Sequence, residues 1–510
     1  MFLTLVRREL LDNLMTFRFA AAVVIMLLLV VANTVVLIKD YELRLADYNN
    51  AVKTHRQELR LENKTYSDGM LSHWGTIIVD RPPNPLSIFN AGLDKRLGNE
   101  IRVSYIFTPT IWDANKHEAD NPYFNILTSI DIVLIFQGIL SLLALTFAYD
   151  VIAGEYEHGT LRLVLSHSVR RGYILFAKYI GAMVCLFVPL LMSLLLMLIL
   201  LTTSATISLS TDDFLRIGGI VLTSLIYLSL FYLIGMLISA MTRRTSTALI
   251  LSMFVWGFLV LVYPNLILTA VDTAPQADPE PAAYHQIKRI WEELERKRDQ
   301  FLRNDAVPGE DWGFGVVNSE GHDFNFSTSR DKPSRLLYYT YVGSEFETIH
   351  EKSEPQVPHA QNFYGFIGPL TVNTVERTWL IRKPALETIY VEPANRGQML
   401  LKFSPAGLYD AATEAWAGTD LNGIQDFFRA AQRHRQAVVN HFYDEKIFAS
   451  RQWFSSDQGA VDWDTLPQFS FQRSDIGINA KRAVPDLFLL LTMNVFLFIA
   501  IFLVFIKSEV

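Results

Sequence analysis

Apolar residues gather in six blocks along the chain, at 19–38, 126–149, 179–201, 217–241, 247–270 and 487–506, separated by polar stretches of very unequal length. A helix rises about 1.5 Å per residue, so about 20 residues cross a hydrocarbon core of about 30 Å. Every block meets that length, and the pattern predicts six membrane helices, with the first extending back to residue 17. Pro189 falls inside the third block and Pro264 near the end of the fifth. Both are tolerated in lipid where neighbouring helices satisfy the freed carbonyls. Arg7, Arg8 and Arg18 precede the first block as they would in a secretory leader. The apolar stretch is too long for a leader and no small-residue cleavage site follows Ile38, so it reads as an uncleaved anchor.

The polar stretches carry their own periodicity. Residues 1–16 form an amphipathic pattern, with Phe2, Leu3, Val6, Leu10 and Leu14 opposite Arg7, Arg8, Glu9 and Asp12. In 39–125, Leu45, Tyr48, Val52 and Leu59 recur at helical spacing, which predicts a stalk continuing the first span. Three prolines between Arg81 and Pro85 end any helix there. The segment 271–486 is long enough for a domain of its own. It opens with the Pro-rich stretch Ala274 to Pro281. An amphipathic helix with Ile287, Trp291, Leu294 and Phe301 on one face follows, with Glu292–Arg296 and Glu293–Lys297 on its wet side. A second helix is predicted near 421–449, through Ile424, Phe428, Ala431, Val438 and Phe442. Aromatic and β-branched runs between them, such as Leu336–Val342 and Thr388–Val391, give a mixed α and β expectation for this domain.

Lys and Arg in the short loops set the orientation. They cluster before the first span, between spans two and three (Arg162, Arg170, Arg171, Lys178), between spans four and five (Arg243, Arg244) and after the sixth (Lys507). The short loop 202–212 has none. Both termini and the loop 150–178 are therefore expected in the cytoplasm, with 39–125 and 271–486 outside.

Composition adds exclusions. The 510 residues are 50% hydrophobic and 19% charged, against about 25% charged in soluble domains, so neither a single soluble domain nor disorder fits. Forty-five basic against 52 acidic residues leave a net charge of −7 and no nucleic-acid footprint. The lone cysteine, Cys185, excludes an intramolecular disulfide and a cysteine metal cluster. No phosphate-binding G-x-x-x-x-G-K-[ST] loop, H-E-x-x-H zinc helix or G-x-S-x-G elbow occurs. His434 and His441 share a helix face without a third ligand at matching spacing, and His322–Asp323 and His350–Glu351 are isolated pairs. No catalytic set, metal site or bound cofactor is expected in this chain.

The most informative segment lies between spans two and three. Gly154 and Gly159 permit sharp turns at the membrane exit, Thr160 can cap a helix starting at Leu161, and Leu161, Leu163 and Leu165 follow among polar neighbours. A second turn at Ser166–Ser168 leads through Arg170 and Arg171 back into lipid. On these grounds alone, a rigid docking helix and an ordinary amphipathic interface loop are equally good readings.

This run resembles the E-x-E-x-G-T-L-x-x-L-L-S-x-P-V-S-R…K segment of ABC-2 type permeases, the membrane subunits of one class of ATP-driven transporter. Glu155, Glu157, Gly159, Thr160, Leu161, Ser166, Val169, Arg171 and Lys178 match it; His158, Ser168 and Arg170 depart from it. The resemblance covers the membrane part, roughly half the chain, and includes the interfacial first helix and six spans. The large segment between spans five and six resembles a subset of bacterial members with extended extracytoplasmic regions.

The resemblance implies a permease subunit of the bacterial inner membrane that is not itself an enzyme. ATP and magnesium are held by separate ATPase subunits, and a second permease protomer, identical or closely related, completes the device. The loop becomes a coupling helix, with Glu155, Glu157, Gly159, Thr160, Leu161, Arg162, Leu165 and Arg171 as the ATPase contact. Leu161 and Leu165 would fill its cleft. Asn33, Asp131 and Gln137, polar residues in apolar spans, are the other candidates, for a pathway or for interhelix contacts. Export is the expected activity. Transmission of force to an extracytoplasmic partner is the main alternative, and an anchored extracytoplasmic enzyme a weaker one.

Overall fold

Thr16 breaks the first helical run. Its hydroxyl donates to the Asn13 carbonyl (2.8 Å) and accepts from the Phe19 amide (3.2 Å), as a capping threonine does. In this computed structural model the break separates α1 (Phe2–Leu14) from α2 (Phe17–Leu61). The structure describes residues 2–61, 65–67, 77–95, 98–110, 130–159, 171–272, 281–304, 312–317, 323–328, 354, 357–455, 457–459 and 461–507. Among them, six helices are long and apolar enough to cross a membrane.

The first of these lies in α2, which runs unbroken for 45 residues, about 68 Å at the helical rise. The predicted stalk is thus a continuation of the span. It meets a two-stranded antiparallel sheet, β1 (Ile78–Asp80) and β2 (Glu100–Arg102), in which Asp80 faces Glu100. The proline run after Arg81 carries no α-helix, as expected.

Asp131 caps the second span, its carboxylate accepting from the Leu134 amide at 2.7 Å. That span is α3 (Ile132–Ile135), a wide π turn (Phe136–Leu140) and α4 (Ser141–Ala148). Residues 126–129, where the apolar block begins, lie outside the described residues. A short helix, α5 (Ala153–Glu157), follows. The third span is α6 (Arg171–Thr203), so residues 171–178 are already helical. The fourth is α7 (Thr211–Met241), opened by a capping box between Ser210 and Asp213. The fifth is α8 (Thr245–Trp256), a π turn (Gly257–Val262) and α9 (Tyr263–Asp272).

The segment that follows contains α10 (Pro281–Asn304), the antiparallel hairpin β3 (Trp312–Val317) and β4 (Asp323–Thr328), and α11 (Val357–Leu386). After a π turn (Glu387–Val391) come α12 (Glu392–Leu401), α13 (Pro405–Ala417) and α14 (Leu421–Asp444). The sixth span is α15 (Ile476–Lys507). Both predicted amphipathic helices are present. Phe301 of α10 stacks on Phe366 of α11 at 4.6 Å, and Ile424, Phe428, Ala431, Val438 and Phe442 of α14 are all buried. The mixed expectation needs one correction. Thr388–Val391 is helical, because it lies between α11 and α12 and the flanking helices override its β propensity. Leu336–Val342 lies outside the described residues.

Two hydrophobic cores result. One fills the bundle, around residues such as Met26, Leu145, Leu190 and Phe231. The other fills the domain, around Tyr105, Phe427, Phe442, Phe448 and Trp453. Helix α13 joins the first: it packs between α7 and α15, with Leu408 buried against Leu230 and Leu490. Sequence reading places all of 271–486 outside the membrane, yet this helix is seated among the spans. Its approach requires Gly219, where a Cβ would come within 2.4 Å of the Trp416 ring. A left-handed Gly418 (φ +73°) then ends α13.

Candidate functional site

The matched loop leaves α4 at one end of the bundle. Asp150 to Ile152 turn the chain, and the Ile152 and Ala153 amides both donate to the Ser239 hydroxyl on α7, at 3.0 and 2.9 Å. Gly154 lies in a helical turn, where an added Cβ would come to 3.6 Å from the Asp150 side chain, and Gly159 stops that turn with φ +70°. Gly159 makes the sharp turn expected of it, whereas Gly154 is helical and the chain turns just before it.

Glu157 reaches sideways. Its carboxylate accepts from the Thr245 amide (2.9 Å) and hydroxyl (2.7 Å), and so caps the start of α8 with a negative charge. Glu155 lies 2.8 Å from the Lys178 ammonium, and Glu9 of α1 lies 3.0 Å from it. Lys178 is 8% exposed, so this ion pair is well desolvated. Arg171 donates to the Ile506 carbonyl at 3.0 Å and thereby satisfies an orphan carbonyl at the end of α15. Helix α1 lies along α6, with Phe2 against Tyr173 and Phe176, and Gly181 allows Glu9 and Leu10 to approach. The buried Cys185 thiol faces the Leu10 carbonyl at 3.7 Å.

Both described ends of the loop are thus bonded to α1, α7, α8 and α15. Between them opens a cleft of about 430 Å³ lined by Glu9, Asp150, Glu155, His158, Lys178 and Tyr232, among others. Thr160, Leu161, Arg162 and Leu165, together with the helix expected to start at Leu161, lie outside the described residues.

The structure disperses the polar span residues. Asn33 donates to the Ile130 carbonyl at 2.8 Å. Asp131 accepts from the Ala91 amide at 2.9 Å as well as capping α3. Gln137 sits in the π turn, donates to Ala406 of the α13 entry (3.2 Å), and accepts at its carbonyl from Tyr227 (3.1 Å). Each joins neighbouring segments. His434 and His441 gather no third ligand among the described residues. His322 and the His350–Glu351 pair lie outside them.

Sequence reasoning missed the residues that seat α13. Tyr409 stacks on Tyr227 at 4.3 Å and shares a hydrogen bond with Ser224 (2.8 Å), while Ser404 donates to the Leu259 carbonyl in the π turn of span five (2.6 Å). Lys402 pairs with buried Asp486 of α15 at 2.6 Å. The sequence signal is weak: a moderately apolar stretch of 13 residues is too short to span and suits a soluble core as well as a buried or re-entrant helix.

Comparison with known proteins bears on the whole arrangement. A model described as ABC-2 family transporter protein matches residues 3–377, and one for a domain of unknown function, DUF3526, matches 395–472, which contains α13 and α14. The "Probable ABC transporter permease protein NosY" of Stutzerimonas stutzeri is 31% identical over 136 residues, 26% of this chain and 48% of that protein. Its namesake from Pseudomonas aeruginosa is 30% identical over 147 residues, 28% of this chain and 52% of the relative. The alignments thus span about half the length of these relatives. With the family match covering most of the sequence and six membrane-length helices in place, this chain belongs to the ABC-2 family of transporter proteins.

Proposed function

We propose that the chain is the membrane permease subunit of an ATP-binding cassette transporter, working in the inner membrane with separate ATPase subunits docked on residues 155–171. The observation that carries this reading is the set of bonds holding both ends of that loop. Ser239, Thr245, Glu9 and the end of α15 grip it through Ile152 and Ala153, Glu157, Lys178 and Arg171. A push on such a loop is shared at once by several spans. The relatives' description as permeases agrees with it.

In this reading ATP and magnesium belong to the ATPase subunits, whose closure drives the loop and tilts spans two and three. A second protomer completes the pathway, and span five supports its presence: 11% of its apolar window is buried, against 67% in spans two and four. Export follows from the family resemblance. A second reading, force delivered to an extracytoplasmic partner, is favoured by α13. That helix and the Lys402–Asp486 pair couple the bundle interior to the domain between spans five and six.

The test is a Leu161→Asp/Leu165→Asp double variant of the full chain, reconstituted with its ATPase in vesicles. The expected result is normal membrane insertion with loss of ATPase stimulation; unchanged stimulation overturns the docking assignment. Cargo movement in vesicles lacking any extracytoplasmic protein supports transport over force transmission.

A further inference from the structure

A cluster remote from the loop has no role in the reading above. His55 lies on the inward face of α2, in register with the half-buried Tyr48, Val52 and Leu59. Its Nδ1 is 3.0 Å from Asp80 Oδ2 on β1. The strand register sets Glu100 of β2 directly opposite Asp80. One ligand atom from each of His55, Asp80 and Glu100 lies within 4.8 Å of the other two.

Two carboxylates facing each other across an antiparallel pair repel, and burial strengthens the repulsion. Asp80 is 9% exposed. Its Oδ2 faces His55, while its Oδ1 is buried and has no hydrogen-bond partner among the described residues. Arg81, the next residue, is committed elsewhere, to Asp94 (2.7 Å) and Asn99 (2.7 Å). Glu58, one turn along α2, adds a further negative charge to the surroundings of His55. A buried acceptor without a donor, beside a second carboxylate and an imidazole, asks for a cation.

We propose that His55, Asp80 and Glu100 bind a divalent transition-metal ion of the Zn²⁺ class, which ties the α2 stalk to both strands of the sheet. The centre of a triangle with 4.8 Å sides is about 2.8 Å from each corner. Zinc bonds to nitrogen and carboxylate oxygen are about 2.0–2.2 Å, so the three groups close on the ion by less than about 1 Å. One imidazole with two carboxylates suits zinc or manganese better than calcium or magnesium, which prefer all-oxygen sets. Motif searches miss the site because its ligands come from three separate segments and not from one helix.

The test uses the full-length protein in detergent, stripped of metal and titrated with ZnCl₂ by calorimetry, alongside His55→Ala and Glu100→Gln. One site per chain is expected in the wild type, weakened at least about tenfold in each variant. Zn²⁺ should also raise the thermal midpoint of the wild type and leave that of His55→Ala unmoved. That second readout holds even if a variant is less stable without metal. No zinc binding by the wild type, or equal binding by His55→Ala, overturns the proposal and leaves a protonated His55 as the cation between the two acids.

Discussion

The Lys178 ammonium lies 2.8 Å from the Glu155 carboxylate, across the junction between α6 and the loop that precedes it. Glu9 of α1 shares the same ammonium at 3.0 Å, so one buried cation holds three segments. Removing it leaves two part-exposed carboxylates facing each other across the cleft. Breaking a buried pair from one side typically costs about 3–5 kcal/mol. Lys178→Met should therefore destabilise by about 3 kcal/mol, the low end of that range, because both acids keep some solvent. Glu155→Gln should do less harm, since Glu9 remains. Thermal unfolding midpoints in detergent check this; equal effects of the two variants would deny Lys178 its bridging role.

Gly219 and Trp416 test the seating of α13. A methyl group at Gly219 would overlap the half-buried indole, which would have to shift to admit it. Overpacking of this kind costs about 1–3 kcal/mol. Gly219→Ala should lower the unfolding midpoint, and Trp416→Leu in the same chain should recover part of the loss. An additive double variant would mean that the two residues are not in contact.

How much of this was legible in the sequence depended on the physical signal each part sends. Six long apolar blocks announce membrane helices because length and hydropathy suffice, and α14 announces itself through Ile424, Phe428, Ala431 and Val438 at helical spacing. The turn at Gly159 was readable because turns are local chemistry, whereas Glu157 was read only as a motif residue and its cap on Thr245 lies 88 positions away. Helix α13 was not, since 13 moderately apolar residues look alike in a soluble core and in a bundle, and only the distant Gly219 and Tyr227 decide between them. Lys178 was read as part of a family motif. Its pairing with Glu9 spans 169 positions and leaves no local trace.

His434 gives the domain between spans five and six a pH dependence. It sits edge-on to Phe469 at 5.3 Å, and burial pushes its imidazole down to about 4. In the unfolded chain the same group titrates near about 6.5. Between those values the unfolded chain takes up a proton that the folded one refuses, so stability falls as the pH is lowered across that window. The unfolding midpoint should drop between about pH 7 and pH 5, and His434→Leu should show a smaller drop. Identical drops in both proteins would remove His434 as a cause.

Phe254 on α8 is 72% exposed and Ile250 71%, which leaves span five for lipid or for another copy of the chain. A Cys185→Ala background makes a cysteine at position 254 the only thiol in the protein. In native membranes Phe254→Cys should yield a crosslinked dimer with a short bifunctional maleimide. Leu230→Cys, at a fully buried position, should not. Absence of dimer from Phe254→Cys, with dimer formed from cysteines on α2 or α15, would move the protomer contact away from span five.

Glu157 separates stability from coupling. Its carboxylate is exposed, and its bonds to the Thr245 amide and hydroxyl tie the loop directly to span five. An exposed cap of this kind contributes little to the folded state. If the loop is displaced by an ATPase, the bond is expected to carry part of that displacement to α8, beside the packing of Ala153 on Ala248. Glu157→Ala should therefore leave the unfolding midpoint nearly unchanged while reducing the stimulation of the partner ATPase by cargo. Glu157→Gln, which keeps an acceptor for Thr245, should retain most of it. If Ala and Gln behave alike in the reconstituted complex, the bond to Thr245 transmits nothing. Among the described residues, span five would then follow the loop through the packing of Ala153 on Ala248 and through Ser239 of α7, whose contacts with the Ile152 and Ala153 amides are untouched by either change.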